Sequence, residues 1–84
     1  MSLFYLYINN ILVAFMSVVQ SVLFDRNLWS RTRATNWLSK NDFKYSKVDY
    51  KPLHLRFRQH SPKFFTRFRT ENIGHGIILI IGFH

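Results

Sequence analysis

The chain has 84 residues, with twelve Lys and Arg against four Asp and Glu, a formal charge of +8 and no cysteine. That length holds at most one small domain, and the missing cysteines exclude a disulfide framework and any thiolate metal site. The positive charge favours nucleic acid, anionic lipid or an acidic partner, and 18% aromatic content argues against disorder.

Charge divides the chain unevenly. Met1 to Phe24 carries no charged side chain, and every Lys, Arg, Asp and Glu lies between Asp25 and Glu71. Residues 1–24 therefore read as a hydrophobic helix. From Leu3 to Phe24 such a helix spans about 33 Å, enough for a bilayer core of about 30 Å. At 100° per residue Asn9, Asn10, Ser17, Gln20 and Ser21 fall within one sector, the pattern of a helix that packs against another inside a membrane. The alternatives are an amphipathic core helix and one lying flat on a surface. A cleaved signal peptide fits poorly, because the segment has no basic start. Arg26, Arg31, Arg33 and Lys40 follow the apolar stretch, so the positive-inside rule places the C-terminus on the cytoplasmic side of a membrane.

Residues 25–52 read as a basic interfacial helix and connector. Asp25 or Asn27 caps a helix running to about Ser39, with Leu28, Trp29, Trp37 and Leu38 as its apolar positions. Arg26, Trp29, Arg31, Arg33 and Trp37 together resemble a membrane-interface belt, while both tryptophans serve equally well to close a small core. Ser39 to Pro52 shows no sustained period and reads as an irregular connection.

Residues 53–84 read as a small basic β module. Leu53 to Arg58 alternates apolar and basic residues, with Leu53, Leu55 and Phe57 inward and His54, Arg56 and Arg58 outward. Phe64 to Thr70 is a second strand, with Arg67 and Arg69 on one side. Asn72, Gly74 and Gly76 mark a turn before the β-branched run Ile77–Ile81. On adjacent strands Arg56, Arg58, Arg67 and Arg69 form one guanidinium-rich face with His54 and Lys63 nearby, suited to phosphate. The alternative is a solvated face that discourages aggregation. No helix-turn-helix, zinc-finger or RNP-type pattern occurs, so nucleic-acid binding here is sequence-independent.

Arg56-Phe57-Arg58-Gln59, Ser61-Pro62, Phe68-Arg69-Thr70 and Ile73-Gly74-x-Gly76-Ile77 through Ile81-Gly82 make the segment Leu53 to Gly82 similar to a basic module of uncharacterised phage and archaeal-virus proteins. The resemblance covers about a third of the chain and implies a viral or mobile-element origin with no defined activity. This chain departs from the module in its hydrophobic start and in lacking a Lys-rich continuation.

The four histidines lack the spacing of a zinc site, Gly74-His75-Gly76 is too short for a phosphate loop, and the acids form no catalytic pair. The reading is thus a non-enzymatic protein without metal or cofactor. Its fold is α+β: an N-terminal transmembrane helix, a short amphipathic helix and a small C-terminal antiparallel sheet. Its function is that of a single-pass membrane protein, with a helix partner or homo-oligomer and a basic head on phosphate groups. The second reading is a soluble nucleic-acid-binding or virion-associated protein. A third is a small subunit of a larger membrane complex whose arginines meet acidic protein surfaces.

Overall fold

The structure, a computed structural model, describes residues 17–84. Five strands and one helix follow in the order β1 (Ser17–Asp25), α1 (Arg31–Lys40), β2 (Asp49–Tyr50), β3 (His54–Arg58), β4 (Arg67–Gly74) and β5 (Ile77–Phe83), with a 3₁₀ turn at Pro62–Phe64. The strands form one antiparallel sheet in the order β2-β3-β1-β5-β4.

The expected fold is corrected at its first element. Ser17–Phe24 is not the end of a membrane helix but most of the central strand, paired with β3 on one side and β5 on the other. Among the described residues no helix is long and apolar enough to cross a membrane. The physical reason is local and tertiary together. Val18, Val19 and Val22 favour a pleated backbone, and because Gln20 and Ser21 are buried along with Val19, Val22 and Phe24, the strand lacks the apolar–polar alternation that would separate it from a buried helix. A bulge at Gln20, between the Val19–Ile81 and Ser21–Ile80 pairs, shifts the alternation by one residue and hides it further. Residues 3–16 of the expected helix, with Asn9 and Asn10, lie outside the described residues. The sheet is likewise larger than the C-terminal module expected, because it takes its centre from the N-terminal third.

One face of the sheet holds the core. Val19, Val22, Phe24, Leu55, Phe57, Ile77 and Ile81 are buried there under Ala34 and Leu38 of α1. Phe24 is the hub, with ring centroids 5.1 Å from Trp29, 5.7 Å from Trp37 and 5.6 Å from Phe57, all edge to face.

The helix starts six residues later than the first predicted cap, since Asp25 belongs to β1 and its carboxylate accepts the Asn27 N–H in a turn (2.8 Å). Ser30 is the cap instead, its Oγ accepting the Arg33 N–H. At the other end Phe43 N–H donates to Leu38 O and Asp42 N–H to Ser39 O, with Asp42 at φ 62° and Phe43 stacked on Trp37. This is a Schellman closure with aspartate where glycine is usual. Asp42→Gly is therefore expected to stabilise the fold by about 0.5–1 kcal/mol, read from the urea midpoint.

The segment after β3 does not turn back to pair with β4. It crosses the end of the sheet past β1 and β5, fastened by the Gln59 and His60 N–H groups on Gln20 O (2.7 and 3.3 Å) and by Gln20 Nε2, which donates to His60 O. Phe65 then lies over Gly82, where an added Cβ would meet its ring at 2.6 Å. Thus β4 begins at Arg67, beyond the predicted Phe64.

Candidate phosphate-binding surface

The alternation of the strands and the observed register place the four arginines expected to share one face on two. Arg58 stands opposite Ser21 and Arg56 opposite Leu23 on the sheet face away from α1. Arg69 and Arg67 stand opposite Ile81 and Phe83 on the helix side, with β1 and β5 between the two pairs. Both β4 guanidiniums lie over the Phe83 ring, at 5.2 Å for Arg67 and 5.7 Å for Arg69. Arg69 also pairs with Glu71 at 3.6 Å.

Arg56 is half-buried and turns toward β1, where its Nε donates to Ser21 Oγ (3.3 Å). Ser21 Oγ in turn donates to Gln20 Oε1 (2.8 Å). Of the expected helix-packing residues, Gln20 and Ser21 thus meet each other in the bulge, while Ser17 sits at the start of β1 opposite Phe83. His54 begins β3 opposite Asp25, at the far end of the strand from Arg58. Lys63 lies over the Phe64 ring in the 3₁₀ turn.

The expected interface belt is largely tied into the fold. Trp29 and Trp37 pack on the core, and Trp29 Nε1 donates to His75 O (2.6 Å). Arg33 lies 4.6 Å over the Trp29 ring and donates to Leu28 O. Arg26 donates to Lys51 O and lies over Tyr50, whereas Arg31 is exposed in the first turn of α1. Trp29, Arg33, Trp37 and His75 border a hollow of about 470 Å³ whose one guanidinium is already engaged.

A different group of cations is assembled at the end of β3. Gln59, buried one residue past the strand, holds the 43–48 loop by both halves of its amide: Oε1 accepts Lys44 N–H (2.8 Å) and Nε2 donates to Lys44 O (2.9 Å). Lys44 Nζ donates back to Gln59 O (3.2 Å). The result is a hollow of about 350 Å³ bordered by Lys44, Ser46, Lys47, Arg58, Gln59, His60 and Ser61. Three cationic residues, a histidine and two serines thus border one hollow, the Lys44 ammonium resting on Gln59 O, and no acid borders it. Tyr45 projects from the same loop, 45% exposed. Such a set can hold a phosphate by charge and by hydroxyl hydrogen bonds.

Only Arg58 of this group was marked by the sequence pattern. Lys44 and Lys47 sit in a stretch with no period, and their approach to Arg58 depends on the Gln59 amide. Gln59→Leu is expected to cost about 1–2 kcal/mol of stability, because two backbone groups of Lys44 lose their partners. Urea unfolding checks it, and the loop's amide protons should exchange faster. Among the described residues no three His, Asp or Glu side chains are placed to hold a metal ion. Comparison of the chain with models of known protein families, with curated proteins and with solved structures finds no match.

Proposed function

We propose that the protein binds single-stranded nucleic acid through its phosphate backbone, without sequence preference. The observation that carries this reading is the acid-free hollow of Lys44, Lys47, Arg58 and His60 with an exposed Tyr45 on the same loop. A cationic groove beside an exposed aromatic ring is the minimal arrangement for holding a flexible polyanion whose bases stack as they pass. A flat membrane surface fits less well, because the basic residues occupy both faces of the sheet and its two opposite sides. The single described helix is packed on the core, so among the described residues no helix stands free to enter a duplex groove.

Fluorescence anisotropy of a labelled oligothymidylate across a salt series tests the proposal. The double substitution Lys47→Ala, Arg58→Ala is expected to flatten the dependence of log affinity on log salt by about 1.4, two contacts at about 0.7 each. Tyr45→Ala is expected to cost about 1–3 kcal/mol of binding with the slope unchanged, since it removes stacking and no charge. Binding to anionic vesicles with none to oligonucleotide would overturn the reading in favour of lipid headgroups, and binding to neither would remove the site altogether.

A further inference from the structure

The two edges of the sheet are unlike. At one end β2 is two residues long and followed by Lys51-Pro52, a short edge that offers little to another strand. At the other end β4 runs for eight residues without proline. Seven of those residues are exposed, and no described strand pairs with the outer side. Its one irregularity, between Asn72 and Gly74, lies at its last turn. An open edge of this length normally carries residues that repel a second strand. Arg67 and Arg69 would do so by themselves, but Glu71 changes the pattern.

We propose that two copies of the chain join edge to edge through β4, antiparallel, with Thr70 on the two-fold axis. A symmetric pair of this kind keeps each sheet face continuous, so residues of like parity meet across the seam. With Thr70 opposite the partner's Thr70, Arg69 stands opposite the partner's Glu71 and Glu71 opposite the partner's Arg69. Phe68 then stands opposite the partner's Asn72, and Arg67 opposite the partner's Ile73. No like charges meet. Moving the axis one residue either way brings Arg69 against the partner's Arg69, or Glu71 against the partner's Glu71, which opposes pairing. The charge pattern therefore selects one register. The Arg69–Glu71 pair within each chain is half exposed, and in the dimer the two pairs merge into a four-membered alternating cluster. The seam also brings both copies of the Arg67, Arg69 and Phe83 stack onto one surface.

Sedimentation velocity of the full chain is expected to show a concentration-dependent dimer. Glu71→Arg makes the four-membered cluster of positions 69 and 71 wholly positive and should raise the dimer dissociation constant by about tenfold or more. The exchanged variant Arg69→Glu, Glu71→Arg should restore it. Because the chain has no cysteine, Thr70→Cys reads the register directly. It should form a disulfide-linked dimer on mild oxidation, whereas Phe68→Cys or Asn72→Cys alone should not and their mixture should. A monomer at every concentration overturns the proposal. So does a dimer indifferent to Glu71→Arg, or one that Thr70→Cys fails to cross-link. Far-UV circular dichroism of each variant separates loss of pairing from loss of fold.

Discussion

Phe24→Ala is expected to lower the free energy of unfolding by about 3–5 kcal/mol, the range for emptying a fully enclosed aromatic site. Phe24 is 0% exposed and, among the described residues, is the one ring that touches Trp29, Trp37 and Phe57 together. Its removal leaves a void bordered by both tryptophans, so the helix loses the Trp37 contact with the central strand. Domains of this size have about 5–10 kcal/mol in total, and the variant should approach the edge of folding at 37 °C. Urea unfolding followed by tryptophan fluorescence measures the loss. Phe64→Ala provides the contrast, since that ring is 58% exposed and its loss should fall within about 0.5 kcal/mol. Equal, small effects at the two positions would mean that β1 does not sit under α1.

The second large effect is expected at the β4–β5 turn. His75 and Gly76 have φ of 57° and 76°, the left-handed pair that a tight type I′ hairpin requires. Gly76 is crowded as well. A Cβ there would lie 2.8 Å from Leu28 Cδ1 and 3.1 Å from Asp25 Cβ, and its carbonyl accepts the Asp25 N–H. Gly76→Val should therefore cost about 2–5 kcal/mol, from left-handed strain of about 1–2 kcal/mol and overpacking of about 1–3 kcal/mol. Gly74→Ala has the same backbone problem at φ 87° but nothing within 4 Å of the new Cβ, so it should cost about 1 kcal/mol. Thermal melts of the two variants side by side separate strain from crowding. A Gly76→Val loss no larger than that of Gly74→Ala would show that Leu28 and Asp25 give way freely.

Those two sites also mark what the sequence discloses and what it conceals. Leu55 and Phe57 against His54, Arg56 and Arg58 announce a strand with one buried face, and β3 has that form. Ile77–Ile81 announces a buried strand, and β5 contains it. Leu53, expected inward, is instead exposed in the turn before β3. The central strand is concealed because burial on both sides and the bulge at Gln20 remove the alternation that would identify it. Once β1 is missed, β3 and β4 seem neighbours, and the four arginines seem to share a face. The sheet order separates them, since β1 and β5 insert between. The hollow at the end of β3 is concealed for another reason. Nothing in the spacing of Lys44 and Lys47 foretells that Gln59, distant in sequence, will draw their loop against Arg58.

The order in which the strands are made has a consequence of its own. The strand at the middle of the sheet is synthesised before both of its neighbours: Val22 must wait for Phe57 on one side and for Leu79 on the other. Pairings so distant along the chain place folding in the slow range of small domains, roughly milliseconds to seconds. Until β3 and β5 arrive, Val18–Phe24 is a nascent stretch without charge, rich in β-branched residues and able to adhere to any other strand it meets. The strand that organises the finished fold is therefore also the one left longest without its partners while the chain is being made.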